Sequence, residues 1–266
     1  MNSQKIAITT QVARVLTSRR FNTPFSRFSA RILKPTLLGV MAAISLAAHG
    51  QTLYISNLSS NEILKDSSGT VSVFAPGAPF LDPEGIAIDS VGNIYVANNG
   101  TTYSNGSITK VNSAGTSWST YDSGSAANVS LPTVISFQNG TLYGMMQGVN
   151  TVYKLPSANI LIPYASNGIN GPEAIAFDAS GDLFVANYGN NNILEITPAQ
   201  AIAHTYTVFA SLYEAAGLTF DSQGDLFATS FGNSTITEYP SGGGSRIIAS
   251  GLNGPIGLAF DPNSNL

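Results

Sequence analysis

Cysteine is absent from this 266-residue sequence, and charged residues make up only 10% of it, against roughly 25% in an ordinary soluble domain. The lack of cysteine excludes disulfide frameworks, thiolate metal sites and cysteine nucleophiles. Histidine is nearly as scarce, because His49 lies in the N-terminal segment and leaves only His204 for the rest of the chain. A site built from several histidine ligands of one chain is therefore excluded.

Basic residues are scarce beyond the first fifty positions. Residues 1–50 contain seven of the 11 Lys and Arg residues and no acid, so residues 51–266 carry four cations against all 15 acids. A surface with so few cations cannot neutralise many phosphates. We therefore expect no nucleic acid as a partner, and no membrane contact beyond an export signal.

The N-terminal segment has the layout of a secretory signal peptide. A basic, acid-free stretch precedes the apolar residues 37–48, and Ala48 and Gly50 place small residues at −3 and −1 before Gln51. Twelve apolar residues are few for a membrane span, which needs about 20. We expect a leader over residues 1–50 and a secreted, periplasmic or cell-surface domain over residues 51–266. An uncleaved membrane anchor and an organelle transit peptide are the alternatives.

The remainder of the chain repeats one unit. Its clearest copy reads Pro83-Glu-Gly-Ile-Ala-Ile-Asp89, a four-residue turn, and Ile94-Tyr-Val-Ala-Asn98. Related copies cover residues 172–187 and 215–230, a weaker one covers 132–146, and a partial one covers 255–266. The second strand of the unit begins at 53, 94, 142, 183, 226 and 266, with spacings of 41, 48, 41, 43 and 40. Such a period with several short strands per unit is typical of a β-propeller.

Two further strands complete each unit. The third alternates apolar and polar residues, as in Ile193-Leu-Glu-Ile196, which predicts a half-exposed strand. The fourth is an outer strand such as Val71-Ser-Val-Phe74. The first strands are apolar at nearly every position, which predicts the innermost place in the blade.

The two ends of the repeat region complement each other. Residues 53–75 supply strands two to four of a unit, and residues 255–261 supply only a first strand. We expect an all-β propeller of four-stranded antiparallel blades, with five blades closed by pairing the N- and C-terminal segments. A truncated six-bladed ring fits the same pattern. We expect a monomer with no domain boundary inside residues 51–266.

The repeated strings resemble the NHL repeat, and more widely the SMP-30/gluconolactonase-like and strictosidine synthase-like propellers. The resemblance covers residues 53–266, and five copies agree in register. It implies the propeller fold. It implies no single function, because this architecture carries both binding proteins and several chemistries.

Recurring aspartates and glycines mark the turn after each first strand. Asp accepts local backbone hydrogen bonds, and Gly supplies the positive φ of a tight hairpin. A residue that recurs in nearly every blade is expected to stabilise the blade itself, so we interpret these residues as structural. They are Asp89, Asp178, Asp221 and Asp261, with Gly92, Gly181 and Gly224.

Glu84 and Glu173 are different, because the repeat does not require an acid at their position. The equivalent residues are Thr133, Ala216 and Ile256. Both acids precede a first strand, where a propeller opens to its central channel. By the SMP-30-like resemblance, the two could bind Ca²⁺ or another divalent cation through oxygen. The alternative is a pair of solvated loop carboxylates.

Asn57, Asn98 and Asn187 end the second strands. Their amides could line a polar pocket, or they could be turn residues, since Asn tolerates the left-handed conformation. His204 lies in the polar stretch 197–205, where we expect it to face solvent. No nucleophile elbow, phosphate loop or dinucleotide fingerprint occurs in a suitable context.

No complete catalytic set is visible, so we assign no catalytic residue. The first hypothesis is an exported, non-enzymatic propeller that binds a protein, a glycan or another extracellular ligand. The alternative is an SMP-30/gluconolactonase-like, metal-dependent hydrolase that opens a lactone, with Glu84 and Glu173 as cation ligands.

Overall fold

The chain forms five four-stranded sheets arranged as a five-bladed β-propeller. This computed structural model describes residues 5–7, 52–57, 60–67, 70–100, 106–123, 132–146, 149–260 and 266. Most of the predicted leader, and Asp261, lie outside the described residues. The fold expected from the repeats is confirmed.

The strand bounds follow the repeat closely. Blade one contains β1 Lys5–Ala7, β2 Thr52–Asn57, β3 Glu62–Ser67 and β4 Thr70–Phe74. Blade two contains β5 Pro83–Ile88, β6 Ile94–Asn98, β7 Ser107–Val111 and β8 Trp118–Asp122. Blade three contains β9 Pro132–Gln138, β10 Thr141–Met146, β11 Thr151–Ser157 and β12 Ile160–Ala165. Blade four contains β13 Pro172–Phe177, β14 Leu183–Asn187, β15 Asn192–Ile196 and β16 Thr207–Ser211. Blade five contains β17 Ala215–Phe220, β18 Leu226–Ser230, β19 Thr235–Tyr239 and β20 Arg246–Ala249.

The hairpins between first and second strands have the expected turn chemistry. Asp178 Oδ1 accepts the backbone N–H groups of Ser180 at 2.9 Å and Asp182 at 2.8 Å. Asp89 and Asp221 make the same pair of bonds in their own turns. The glycine three residues on has a φ between 86° and 89° in all three hairpins. The structural interpretation of these aspartates is therefore confirmed.

Rings in equivalent positions join neighbouring blades. Each second strand carries an aromatic residue directly after a Leu or Ile near its start, namely Tyr54, Tyr95, Tyr143, Phe184 or Phe227. In blade four this residue, Phe184, contacts Phe209 of its own blade and Phe220 of the next at 5.1 Å. The analogous pairs in the other blades have centroid distances of 4.7–5.1 Å and mostly edge-to-face geometry. Edge-to-face rings stabilise such contacts beyond their buried area. Ring pairs join blades two and three, three and four, and four and five, whereas blade two has Ile88 at the place that would face Tyr54 of blade one.

The first strands surround one central channel. They line a cavity of about 360 Å³, and Ile86, Ile175, Leu218 and Leu258 all lie on its wall. We call the end of the channel at which the first strands begin the mouth; it is marked by Pro83, Pro132, Pro172 and Ala215. The apolar composition of these strands thus reflects their innermost position.

Blade one is completed differently from the expected pairing of residues 255–261 with β2. Lys5–Ala7 runs parallel to β2, from Lys5 beside Thr52 to Ala7 beside Tyr54. Residues 255–260 lie against blade five instead. Phe260 packs on Phe227 at 4.9 Å, as a first strand of a following blade would. The aromatic contact with blade five, rather than a ladder with β2, positions this segment.

Among the described residues, one short α-helix and a 3₁₀ turn, Tyr188–Asn190, lie between strands. Helix α1, Pro198–Ala203, connects β15 to β16, although the sequence shows no convincing helical period. Thr197 and Gln200 form a capping box, and Pro198 stands in the first turn; these local signals suffice for a helix too short to show periodicity. Within the described part of the chain, no helix has the length and apolarity needed to cross a membrane.

Candidate functional site

The first strands bring one position of every repeat to the channel mouth. Glu84 is the second residue of β5 and Glu173 the second residue of β13, with Thr133 of β9 at the equivalent place between them. Thr133 is buried, and its hydroxyl has no hydrogen-bond partner. Glu173 also lines the channel cavity. The ring thus collects two carboxylates that are far apart in sequence.

Glu84 has an unusual electrostatic environment. Its carboxylate Oε1 accepts a hydrogen bond of 2.6 Å from Asn99 Nδ2. Burial raises the pKa of Glu84 to about 7, partly offset by the Asn99 bond and reinforced by the negative charges of Asp82 and Glu173. Glu84 therefore changes charge near neutral pH, whereas an exposed glutamate is ionised throughout that range.

A group of aromatic and acidic side chains extends the mouth toward blades four and five. Tyr188 follows Asn187 at the end of β14, and its ring lies 6.3 Å from that of Phe231. Burial is the main cause of the raised pKa of Tyr188. The charge of Glu214, a hydrogen bond to Glu214 and the charge of Glu173 also raise this pKa. Sequence reasoning missed Tyr188, Glu214 and Phe231, because they lie in loops whose residues vary between blades.

Asn98 and Asn187 lie inside the blades and hold loops in place. Asn187 Oδ1 accepts the Asn170 N–H at 2.6 Å, and its Nδ2 donates to Gly168 O at 2.9 Å. Asn98 likewise accepts the Leu81 N–H. Both asparagines are completely buried. Their amides fasten the loop that leads into the first strand of the same blade. Asn57, in contrast, is partly exposed at the end of β2.

A second set of asparagines links consecutive blades. Asn61, Asn150 and Asn191 all have left-handed φ values of 49–56° and lie in hairpins between second and third strands. Each accepts a backbone N–H from the residue before the next blade's first strand. These donors are Asp82 at 2.7 Å, Gly171 at 3.0 Å and Glu214 at 2.9 Å. In the sequence, these links are indicated only by the asparagine at this hairpin position, which occurs in three of the five units.

The described mouth is acidic without a basic counterpart. Lys65, Lys110 and Lys154 pair with Tyr54, Tyr95 and Tyr143 near the start of the second strands, away from the mouth. Arg246 forms an ion pair with Glu238 on the outer strands of blade five. The carboxylates at the mouth therefore attract a positively charged ligand and repel anions.

The donor set does not fit a divalent cation. Ca²⁺ takes six to eight oxygen ligands, several of them carboxylates. Across the described ranges, no group of three or more His, Cys, Asp or Glu side chains is arranged to hold a metal. Glu84 is also partly neutral at pH 7. We therefore derive no step through a metal ion.

His204 lies at the end of helix α1 and is not among the residues that line the channel. It has a left-handed φ of 55° and is exposed to solvent. Its carbonyl oxygen accepts a hydrogen bond from Asn167 Nδ2. The solvent-facing position expected from the sequence is confirmed, and the imidazole is not part of the channel mouth.

Comparison with known proteins identifies the fold and nothing finer. No protein-family profile matches the chain, and no curated protein matches it. Solved structures do match. An inactive histidine-to-alanine variant of virginiamycin B lyase from Staphylococcus aureus with quinupristin is 18% identical, with a TM-score of 0.64, over 82% of this chain and 73% of that one.

Two other solved structures show the same likeness. The nidogen/laminin complex has 18% identity and a TM-score of 0.62, covering 75% of this chain and 74% of the matched chain. A putative gluconolactonase has 16% identity and a TM-score of 0.59, covering 74% of each chain. These neighbours are a lyase, a nidogen/laminin complex and a putative gluconolactonase, and the propeller resemblance expected from the repeats is confirmed at the level of the fold.

Proposed function

We propose that the chain is an exported binding module that takes a basic group of a protein ligand at the channel mouth. The observation that carries the proposal is that the partly buried Glu84 is influenced by the charge of Glu173, which lines a cavity of about 360 Å³. Tyr188 and Phe231 extend this acidic mouth with aromatic rings. Carboxylates combined with ring faces are suited to ammonium and guanidinium groups.

The chemistry at the mouth favours binding over turnover. The channel wall is formed mainly by aliphatic side chains of the first strands. The only described histidine, His204, lies outside it. Carboxylates without a histidine, a metal cage or an activated nucleophile can hold a cation, but they do not complete an acyl-transfer or lyase site.

A titration of the full chain with tri-lysine, with tri-glutamate as the negative control, tests the proposal. We expect tri-lysine to bind and the Glu84→Gln, Glu173→Gln double variant to bind about tenfold more weakly. The matched control is Glu195→Gln, an acid on β15 away from the mouth. Equal tri-lysine binding by all three proteins would contradict the proposal.

The same titration has a pH signature. Because Glu84 loses its proton near pH 7, tri-lysine binding strengthens between pH 6 and pH 8 in the wild type. This gain shrinks in Glu84→Gln. An unchanged gain would show that another group controls the binding.

Export is the second part of the proposal, and it is supported by the basic stretch and apolar residues 37–48. Expression of the full chain in a secretory host, followed by N-terminal sequencing of the exported protein, tests it. We expect the exported chain to start at Gln51, which removes β1 and leaves blade one with strands β2 to β4. Retention of the intact N terminus inside the cell would contradict export.

A lactone hydrolase is the second candidate, favoured by a carboxyl group that titrates near neutrality beside a cavity. Metal analysis of the purified protein together with a lactone panel tests it. Stoichiometric divalent metal and a turnover lost in Glu84→Gln would favour the hydrolase over the binding module.

A further inference from the structure

A second cavity lies between blades four and five, away from the mouth. Its volume is about 750 Å³, within the range of roughly 300–1,000 Å³ that small-ligand sites have. We call it the blade 4–5 groove. It is lined by Phe184, Phe209, Phe220 and Tyr239, by Asp178 and Ala179, and by residues of the hairpin after β19.

The aromatic rings of the blade 4–5 groove form a continuous chain. Phe184 contacts Phe220 and Phe209 at 5.1 Å, and Phe209 contacts Tyr239 at 5.5 Å. Blades two, three and four carry aliphatic residues where blade five has Tyr239, namely Val111, Leu155 and Ile196, and blade one has Asp66 there. Tyr239 therefore adds a fourth ring that the other interfaces lack.

Phe209 is partly exposed at the bulge of its outer strand. It is 38% exposed, whereas Tyr121 and Tyr164 at the equivalent places in blades two and three are half-buried and Ile248 in blade five is 41% exposed. In blade one, Phe74 contacts Tyr54 and is 4% exposed. Gly115, in the hairpin after β7, packs so closely on Phe74 that an added Cβ would lie 2.7 Å from its ring. In blade two, the Tyr121 hydroxyl donates to Leu155 O at 3.4 Å. The following blade thus contacts these rings, through a hairpin in the case of Phe74 and through strand β11 in the case of Tyr121.

In blade five, Tyr239 contacts Phe209, but the hairpin after β19 leaves the ring partly exposed. This hairpin contains Gly242, Gly243 and Gly244, and an added Cβ on any of them would meet nothing within 4 Å. The Ser241 N–H donates to Asp225 Oδ1 at 2.8 Å, which fixes one end of the loop. The opening is therefore a property of this hairpin's sequence.

The rim of the blade 4–5 groove offers hydrogen-bond acceptors and hydroxyls. In blade two, Asn93 Nδ2 donates to Asp89 Oδ2, but in blade four Asp182 replaces that asparagine and cannot donate. Ser211, Ser241 and Ser245 add hydroxyl groups to the lining. The nearby cation, Arg246, is held by Glu238 at 2.7 and 2.9 Å. The rim thus favours an uncharged, hydroxylated ligand over an anion.

We propose that the blade 4–5 groove binds a neutral saccharide. The electron-rich face of an aromatic ring attracts the polarised C–H face of a sugar, and the exposed part of Phe209 supplies such a surface. Asp178 and the serine hydroxyls accept and donate hydrogen bonds to sugar hydroxyls. This site is independent of the channel mouth and of the basic-group ligand proposed for it.

Saturation-transfer NMR on the full chain tests the proposal with glucose, galactose, N-acetylglucosamine and their β-1,4-linked disaccharides. We expect saturation of ring C–H protons in at least one of these sugars. Phe209→Ala weakens that binding about tenfold. Tyr121→Ala, the equivalent change in blade two, leaves it intact.

A second pair of variants separates binding from folding. Ala179 is an exposed turn residue at the groove, so Ala179→Trp blocks the groove without entering the core. Ser222→Trp is the equivalent exposed change in blade five, outside the lining. Loss of sugar binding in Ala179→Trp alone supports the site. Absence of binding to every sugar, or equal binding by Ala179→Trp and Ser222→Trp, overturns it.

Discussion

At the scale of single residues, the same residue type has different roles in different places. Asn98 and Asn187 fasten loops within a blade, whereas Asn191 joins one blade to the next. Asn99 supports the carboxylate of Glu84. Adjacent asparagines can therefore have different roles: Asn98 stabilises the blade, whereas Asn99 belongs to the candidate site.

The charge of Glu84 makes stability depend on pH. The pKa of Glu84 is about 7 in the folded chain, above its ordinary value of 4.5, so between these values the folded state binds more protons than the unfolded state. Glu84 therefore lowers the free energy of unfolding as pH rises through this window. In Glu84→Gln, this contribution is absent.

Urea unfolding of wild type and Glu84→Gln at pH 5 and pH 8 measures the effect. We expect the variant to gain stability relative to wild type at the higher pH. The comparison cancels the contributions of the other carboxyl groups, including Asp82, whose pKa burial also raises. A constant difference between the two proteins would contradict a raised pKa at Glu84.

At the scale of elements, the hairpin between first and second strands was predictable residue by residue. Its aspartate and glycine act within four positions of each other, as the bonds of Asp221 and the φ of 86° at Gly224 show. Helix α1 was missed because six residues are too few for a helical period. Only the capping residues Thr197 and Gln200 indicated this helix in the sequence.

Gly224→Ala tests the role of backbone conformation in this hairpin. A Cβ at Gly224 meets nothing within 4 Å, so the cost arises only from its positive φ and is about 1–2 kcal/mol of unfolding free energy. Gly242→Ala is the matched control, since Gly242 has the same open surroundings without a positive φ. Urea unfolding compares the two, and equal costs would contradict the turn geometry.

At the scale of the whole molecule, inner strands approach so closely that small residues are required. Gly217 N–H donates to Thr229 Oγ1 at 2.6 Å, and the Thr229 hydroxyl donates to Ile256 O at 2.9 Å. A Cβ on Gly217 would collide with that same carbonyl oxygen. Gly217 thus allows residues 255–260 to lie against blade five.

Gly217→Ala should displace that segment. We expect faster hydrogen exchange of the amides in residues 255–260 and a lower unfolding free energy. Gly144→Ala is the control, because its nearest neighbours are the flexible tips of Met146 and Leu155 at 3.2 and 3.3 Å. Unchanged exchange in Gly217→Ala would mean that residues 255–260 do not depend on this contact.

The sequence by itself determined the repeat, the strand order within a blade and the hairpin chemistry, but it left a closed five-bladed ring and a truncated six-bladed ring both open. These features depend on residues that are near one another in the chain, and each feature occurs in several copies of the repeat. Only the tertiary structure decided which residues meet across the ring. Glu173 influences the charge of Glu84, and Phe260 packs on blade five rather than completing blade one. The ring of Phe209 is partly exposed beside a glycine-rich hairpin. Such contacts depend on how blades pack face to face, which no single copy of the repeat specifies.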